Sequence, residues 1–63
     1  MMMKIYIDMK SDAFKLNPGH ELARILQFVA GSVNNEPREF LIGLDRSLFD
    51  INGNNVGYFT IIE

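Results

Sequence analysis

The chain contains no cysteine and no tryptophan, a single histidine and only two prolines in 63 residues. Without cysteine there is no disulfide, no thiolate nucleophile and no thiolate zinc site. The one histidine, His20, falls where the first turn of a helix is expected, an ordinary place for a surface side chain. Ser11, Asp12 and His20 lack the spacing of a nucleophile elbow or an oxyanion site, so catalysis by that set is not expected. Long apolar runs are also missing. None approaches the roughly 18 residues that span a bilayer, and Met1-Met2-Met3-Lys4 lacks the apolar core of a signal peptide. No membrane association is expected, and a cytoplasmic location is the simpler reading. Nor does one sign of charge dominate: six Lys and Arg against eight Asp and Glu leave a net charge of -2. Lys4, Lys10, Lys15, Arg24, Arg38 and Arg46 form no run, which argues against a nucleic-acid surface. Eight acids are too few for a mimic of DNA.

What is present suits one small domain over residues 1–63. Hydrophobic residues make up 48% of the chain, enough for a single core near the lower size limit for unaided folding. The stretch Asn17 to Val33 reads as the one full helix. Leu22, Ile25, Leu26, Val29 and Val33 recur at helical spacing and form a stripe that must be covered. Asn17 is a good N-cap, Pro18 suits the first helical position, and Glu21 places negative charge near the positive end of the helix dipole. Glu21, Arg24, Gln27 and Gly31 are expected to face away from the stripe. Phe28 lies toward that outer side too, which is expected either to fold onto the following loop or to meet a partner.

The remaining segments read as strands that cover the stripe. Met3 to Lys10 alternates, with Met3, Ile5, Ile7 and Met9 on one side and Lys4, Tyr6, Asp8 and Lys10 on the other. Ser11 to Leu16 connects it to the helix, with Phe14 as a core plug. Phe40-Leu41-Ile42-Gly43-Leu44 reads as an extended segment at the edge of the domain. Leu48 to Ile51 and Val56 to Ile62 flank Asn52-Gly53-Asn54-Asn55, a hairpin signal in which Asn and Gly supply positive φ. Phe49, Ile51, Phe59 and Ile61 are expected to form the floor under the helix, with Gly57 beside them marking a bulge or the close approach of another backbone. Leu48, Asp50, Val56, Tyr58, Thr60 and Ile62 are expected on the opposite face with Tyr6 and Asp8. The resulting fold class is α+β: a β-α-β-β two-layer sandwich with one helix on a small, mainly antiparallel sheet.

Little in this pattern carries chemistry. Asp50 to Asn55 has the alternating oxygen donors of a calcium loop, but the sixth place is Asn55 and the twelfth is Ile61, where such a loop needs glycine and a bidentate acid. A hairpin turn explains the same letters, so no metal and no cofactor are expected. Asp8 and Asp50 on an open sheet have no pocket to raise a carboxyl pKa, and no enzyme activity is expected. The uncovered face is the stronger candidate for function, because tyrosines, aliphatics and carboxylates mixed together read as a contact surface. Isolated apolar side chains on an antiparallel sheet are the plainer alternative.

Three pieces of the chain carry a resemblance: the opening strand followed by Ser11-Asp12-Ala13-Phe14, the helix Asn17-Pro18-Gly19-His20-Glu21-Leu22-Ala23-Arg24-Ile25-Leu26, and the hairpin Leu48-Phe49-Asp50-Ile51-Asn52-Gly53-Asn54-Asn55-Val56-Gly57. Together they resemble small proteins encoded by bacteriophages and prophages, a group with no assigned activity. Pro37 to Ser47 departs from that pattern, being longer and more apolar. The resemblance implies context only: an accessory protein in the host cytoplasm that binds a host protein, such as a defence or regulatory component. The partner-binding residues expected on the open face are Tyr6 and Tyr58 as anchors, Asp8, Asp50 and Thr60 as a polar rim, and Phe28 as an outlying addition. A homodimer or larger homo-oligomer through the same face, and weak nucleic-acid binding through the hairpin, are the alternative readings.

Overall fold

A computed structural model describes residues 1–63. Two elements dominate it, a three-stranded antiparallel sheet and one long helix, in the expected α+β arrangement. Strand β1 spans Met2–Ile7, a single 3-10 turn spans Asp12–Phe14, helix α1 spans Pro18–Asn34, a short helix α2 spans Arg38–Leu41, and strands β2 and β3 span Asp45–Phe49 and Asn55–Ile62. The sheet order is β1-β3-β2, so β3 lies in the middle and both neighbours run antiparallel to it.

The local signals explain most of these boundaries. Asn17 caps α1, its side-chain oxygen accepting from the His20 N–H at 3.1 Å, and Pro18 occupies the first turn. At the other end the Asn35 N–H donates back to Gly31 and Val33, closing the helix ahead of Pro37. Strand β1 ends earlier than Lys10, because the Asp8 carboxylate accepts from the Lys10 N–H at 3.0 Å and turns the chain away. The segment expected to be extended from Phe40 is instead partly helical: Pro37 precedes the single turn Arg38–Leu41, and the Phe40 N–H donates to the Pro37 carbonyl. Extended backbone resumes at Ile42, and the Gly43 N–H and Leu44 carbonyl both bond to Ile61.

The core consists of Phe14, Ile25, Val29, Leu44, Leu48, Val56, Phe59 and Ile61. Phe14 is the expected plug. The helix contributes Ile25 and Val29 fully, Leu22 and Val33 in part, while Leu26 is largely exposed. The face assignment of β2 is corrected. Leu48 is buried beside Phe59, whereas Phe49 and Ile51 are exposed. A register irregularity between Leu48 and Phe49 puts Leu48 opposite Gly57 and Phe49 opposite Asn55. Such an extra residue shifts every side chain on one side of it to the other face. Val56, expected outside, is buried for the same reason. Gly57 is fixed by close approach: a Cβ there would stand 1.9 Å from the Tyr6 carbonyl oxygen.

Candidate functional site

The register across the sheet aligns the residues of the outer face in rows. Tyr6 lies opposite Tyr58 and Tyr58 opposite Ser47, while Lys4 lies opposite Thr60 and Thr60 opposite Asp45. The two tyrosine rings stack with centroids 6.2 Å apart and planes inclined by 27°. They remain open to solvent, Tyr6 at 58% and Tyr58 at 47% exposure. Opposed aromatic residues on adjacent strands support each other, so the pair forms an aromatic platform on this face.

Toward the β2–β3 turn this platform continues into an open groove of about 500 Å³, whose walls include Asp8, Lys10, Ser47 and Asn55. Several of the groove's polar atoms are already engaged. Asp8 holds the Lys10 N–H, Asn55 accepts from the Gly57 N–H at 3.1 Å, and the Ser11 hydroxyl donates to Asp50 at 2.7 Å. What remains is an aromatic floor with a few hydrogen-bonding groups at its rim.

Of the six residues expected to meet a partner, the structure brings together Tyr6, Tyr58 and Thr60, with Asp8 at the groove end. Phe28 and Asp50 are placed elsewhere. Phe28, 52% exposed on α1, lines a separate cleft of about 180 Å³ with Arg24, Ile25, Phe49 and Asp50. Asp50 is buried and serves as the hub of the turn. One of its oxygens accepts from the backbone N–H groups of Asn52 and Asn54, both at 2.9 Å, and the other from the Ser11 hydroxyl and the Asn54 amide. Burial opposes the charged form of Asp50, but the hydrogen bonds from Asn54, Ser11 and Asn52 together outweigh it and hold the carboxyl below its ordinary value.

Glu21 shows the same logic and is likewise corrected, since it points inward. Arg24 donates to both carboxylate oxygens, at 2.7 and 3.1 Å, and the Ile51 N–H donates to one of them at 2.8 Å. The Arg24 hydrogen bond, aided by the one from Ile51, holds the Glu21 carboxyl low against the opposing effect of burial. The pairing with Glu21 in turn raises the Arg24 pKa. Arg24 also donates to the Phe49 carbonyl at 3.0 Å. Glu21 thus fastens the turn after β2 to the start of α1, and Asp50 fastens it to Ser11.

These engagements bear on the chemical readings. The Ser11 hydroxyl is directed at Asp50, Asp12 pairs with Lys15 at 2.8 Å, and His20 stands exposed on the first turn of α1. No group of three or more histidine, aspartate or glutamate side chains converges to hold a metal ion. No helix is long and apolar enough to cross a membrane. The turn Asp50 to Asn54 bears no basic side chain. Asp50 was expected on the outer face; the signal that points to a turn acid is the Asp-x-Asn-Gly-Asn pattern, in which an aspartate accepts from the N–H groups two and four residues on. No protein-family model, curated protein or solved structure matches the chain.

Proposed function

We propose that this chain is a non-enzymatic binding protein of the phage accessory kind, which holds a host protein against its outer sheet face in the host cytoplasm. The observation that carries the reading is the stacked pair Tyr6 and Tyr58, uncovered at the middle of that face. Tyrosines are among the residues that anchor protein interfaces, and a pair already held in place loses little freedom on binding. Lys4, Asp45, Ser47 and Thr60 surround the pair with polar groups of both signs, as the rim of an interface requires. A host defence or regulatory component is the kind of partner the phage resemblance points to.

The test is affinity capture from nuclease-treated host lysate by the wild type and by the double variant Tyr6→Ala/Tyr58→Ala. Both side chains are half exposed, so the variant is expected to fold, and circular dichroism checks that it does. Retention of one host protein by the wild type, lost in the folded variant, is the expected result. Equal retention by both would remove the face from the reading. Recovery of the chain alone would turn the reading toward self-association.

A further inference from the structure

Because β3 is central, β1 and β2 each leave an outer edge. Only one of the two is defended. Strand β2 begins with the charged pair Asp45-Arg46 and ends in the irregularity at Leu48/Phe49. Charges and a bulge are devices that keep a strand edge from pairing with another chain. Strand β1, only one residue longer, has no irregularity in its pairing and no charge except Lys4. Its register runs unbroken from Met2 opposite Ile62 to Ile7 opposite Gly57, and it contains neither proline nor glycine. Its apolar side chains are also half uncovered on the side facing the helix, with Met3 at 42% and Ile5 at 43% exposure.

The free hydrogen-bonding groups of this edge can be assigned. The Asp8 N–H donates to the Val56 carbonyl of β3 at 2.7 Å. In an antiparallel ladder the direction alternates along the strand, so Lys4 and Tyr6 also turn their backbone groups toward β3. Met3, Ile5 and Ile7 therefore present their N–H and C=O groups outward. From this we infer that the β1 edge binds the β1 edge of a second copy, antiparallel about a two-fold axis at Ile5, and doubles the three-stranded sheet.

The register follows from three requirements. A two-fold axis normal to the sheet keeps the helix-bearing faces of both copies on one side, which confines pairing to residues of the same face. With the axis at Lys4, two ammonium groups would stand directly opposite each other, a destabilising arrangement. With the axis at Ile5, Ile5 meets Ile5 of the second copy and Met3 meets Ile7 of the second copy. These are the residues whose backbone groups point outward, so each pair exchanges both hydrogen bonds. Lys4 then lies beside Tyr6 of the second copy, where ammonium and aromatic face attract. The half-exposed Met3 and Ile5 gain cover at the same time. The match is of the strand with its own sequence, which is why a second copy, rather than an unrelated strand, is the occupant. This edge pairing does not rest on the reading of the outer face.

Sedimentation equilibrium over about a thousandfold range of concentration reads the association directly. The expected result is a mass that rises from 7.2 kDa toward twice that value. Ile5→Pro should stay at 7.2 kDa, since it deletes only an N–H that β3 does not use, and edge strands accept proline there. Tyr58→Ala should associate as the wild type does. The register is read by air oxidation of single-cysteine variants, made simple by the absence of native cysteine. Cα atoms of a hydrogen-bonded antiparallel pair lie about 5.5 Å apart, within disulfide reach, so Ile5→Cys should give a covalent dimer and Lys4→Cys should not. A mass of 7.2 kDa for the wild type throughout would overturn the inference. So would association of folded Ile5→Pro at the wild-type level, loss of association in Tyr58→Ala, or cross-linking through Lys4→Cys in place of Ile5→Cys.

Discussion

At one end of the molecule the start of α1, the 3-10 turn and the β2–β3 turn meet around Glu21 and Asp50; at the other, the end of α1, the single turn α2 and the outer ends of β1 and β3 meet with few polar ties. The first end is closed. Its two buried carboxylates accept hydrogen bonds from Arg24, Ile51, Ser11, Asn52 and Asn54, and no buried side-chain polar atom lacks a partner. The second end buries no charged side chain and exposes Met1, Met2 and Phe40, as the first exposes Leu16 and Ile51. The difference shows how a domain this small divides its work. One end spends its buried carboxylates on fixing a turn to a helix, and the other has no buried charged group; apolar side chains reach the surface at both.

Substitutions at the two ends should separate them, beginning with the closed one. Gly57→Ala is expected to be the most damaging single change, because the added methyl would meet the backbone oxygen of Tyr6 and neither strand can yield without losing its ladder. We expect more than about 3 kcal/mol, the upper end of ordinary overpacking, and a chain of this size that fails to show a cooperative thermal transition. Phe14→Ala should follow, at about 3 kcal/mol by chemical denaturation, through the cavity left under the helix start.

Acid should weaken the closed end next. The ordinary carboxyl values are 4.5 for glutamate and 3.8 for aspartate, and both Glu21 and Asp50 are held below them in the folded chain. An acid whose pKa is lowered by folding stabilises the fold fully above its unfolded value and ceases to do so as the pH falls through its folded value. Denaturation midpoints should therefore be flat above about pH 5 and fall below it. In Asp50→Asn the fall should be shallower, from a lower starting stability. At the open end, Phe40→Ser should change the midpoint by no more than about 0.5 kcal/mol. A loss as large as that of Phe14→Ala would erase the contrast between the ends.

Much of the closed end was legible in the sequence, though not its inward-facing acids. Asn17-Pro18 announced the start of α1, and Asn52-Gly53 the turn, where Gly53 alone takes the positive φ, at 87°. Glu21 falls outside the apolar stripe on a helical wheel, yet it is buried. A wheel records only neighbours on the same helix, whereas the groups that draw Glu21 inward include the N–H of Ile51, 30 residues away. From Leu48 to Ile51 burial does alternate, but in the phase opposite to the expected one, for a related reason. A period of two carries no sign of where an extra residue enters the partner strand, here Val56 on β3, so every residue from Leu48 to Ile51 was put on the wrong face. The turn Arg38–Leu41 had left a trace, since Pro37 followed by Glu39 is an acceptable helix start. It was outweighed by the apolar run Phe40 to Leu44, which fits a strand as well as a helical turn. On the outer face, Tyr6, Tyr58 and Thr60 were correctly grouped because they lie on strands whose mutual register has no irregularity.

The central place of β3 has a consequence for how the chain acquires its structure during synthesis. Neither β1 nor β2 has any strand partner except β3, which comes last of the three. A nascent chain that has emerged only as far as Asn54 holds both outer strands and no ladder to join them. The regular elements it can form are α1, the short α2 and the 3-10 turn, and isolated helices of these lengths are marginal in water. The sheet thus cannot form until β3 is free to pair with its two neighbours. Until then Met2 to Ile7 is an unpaired apolar strand, and the cell's chaperones and proteases meet the protein in that form first.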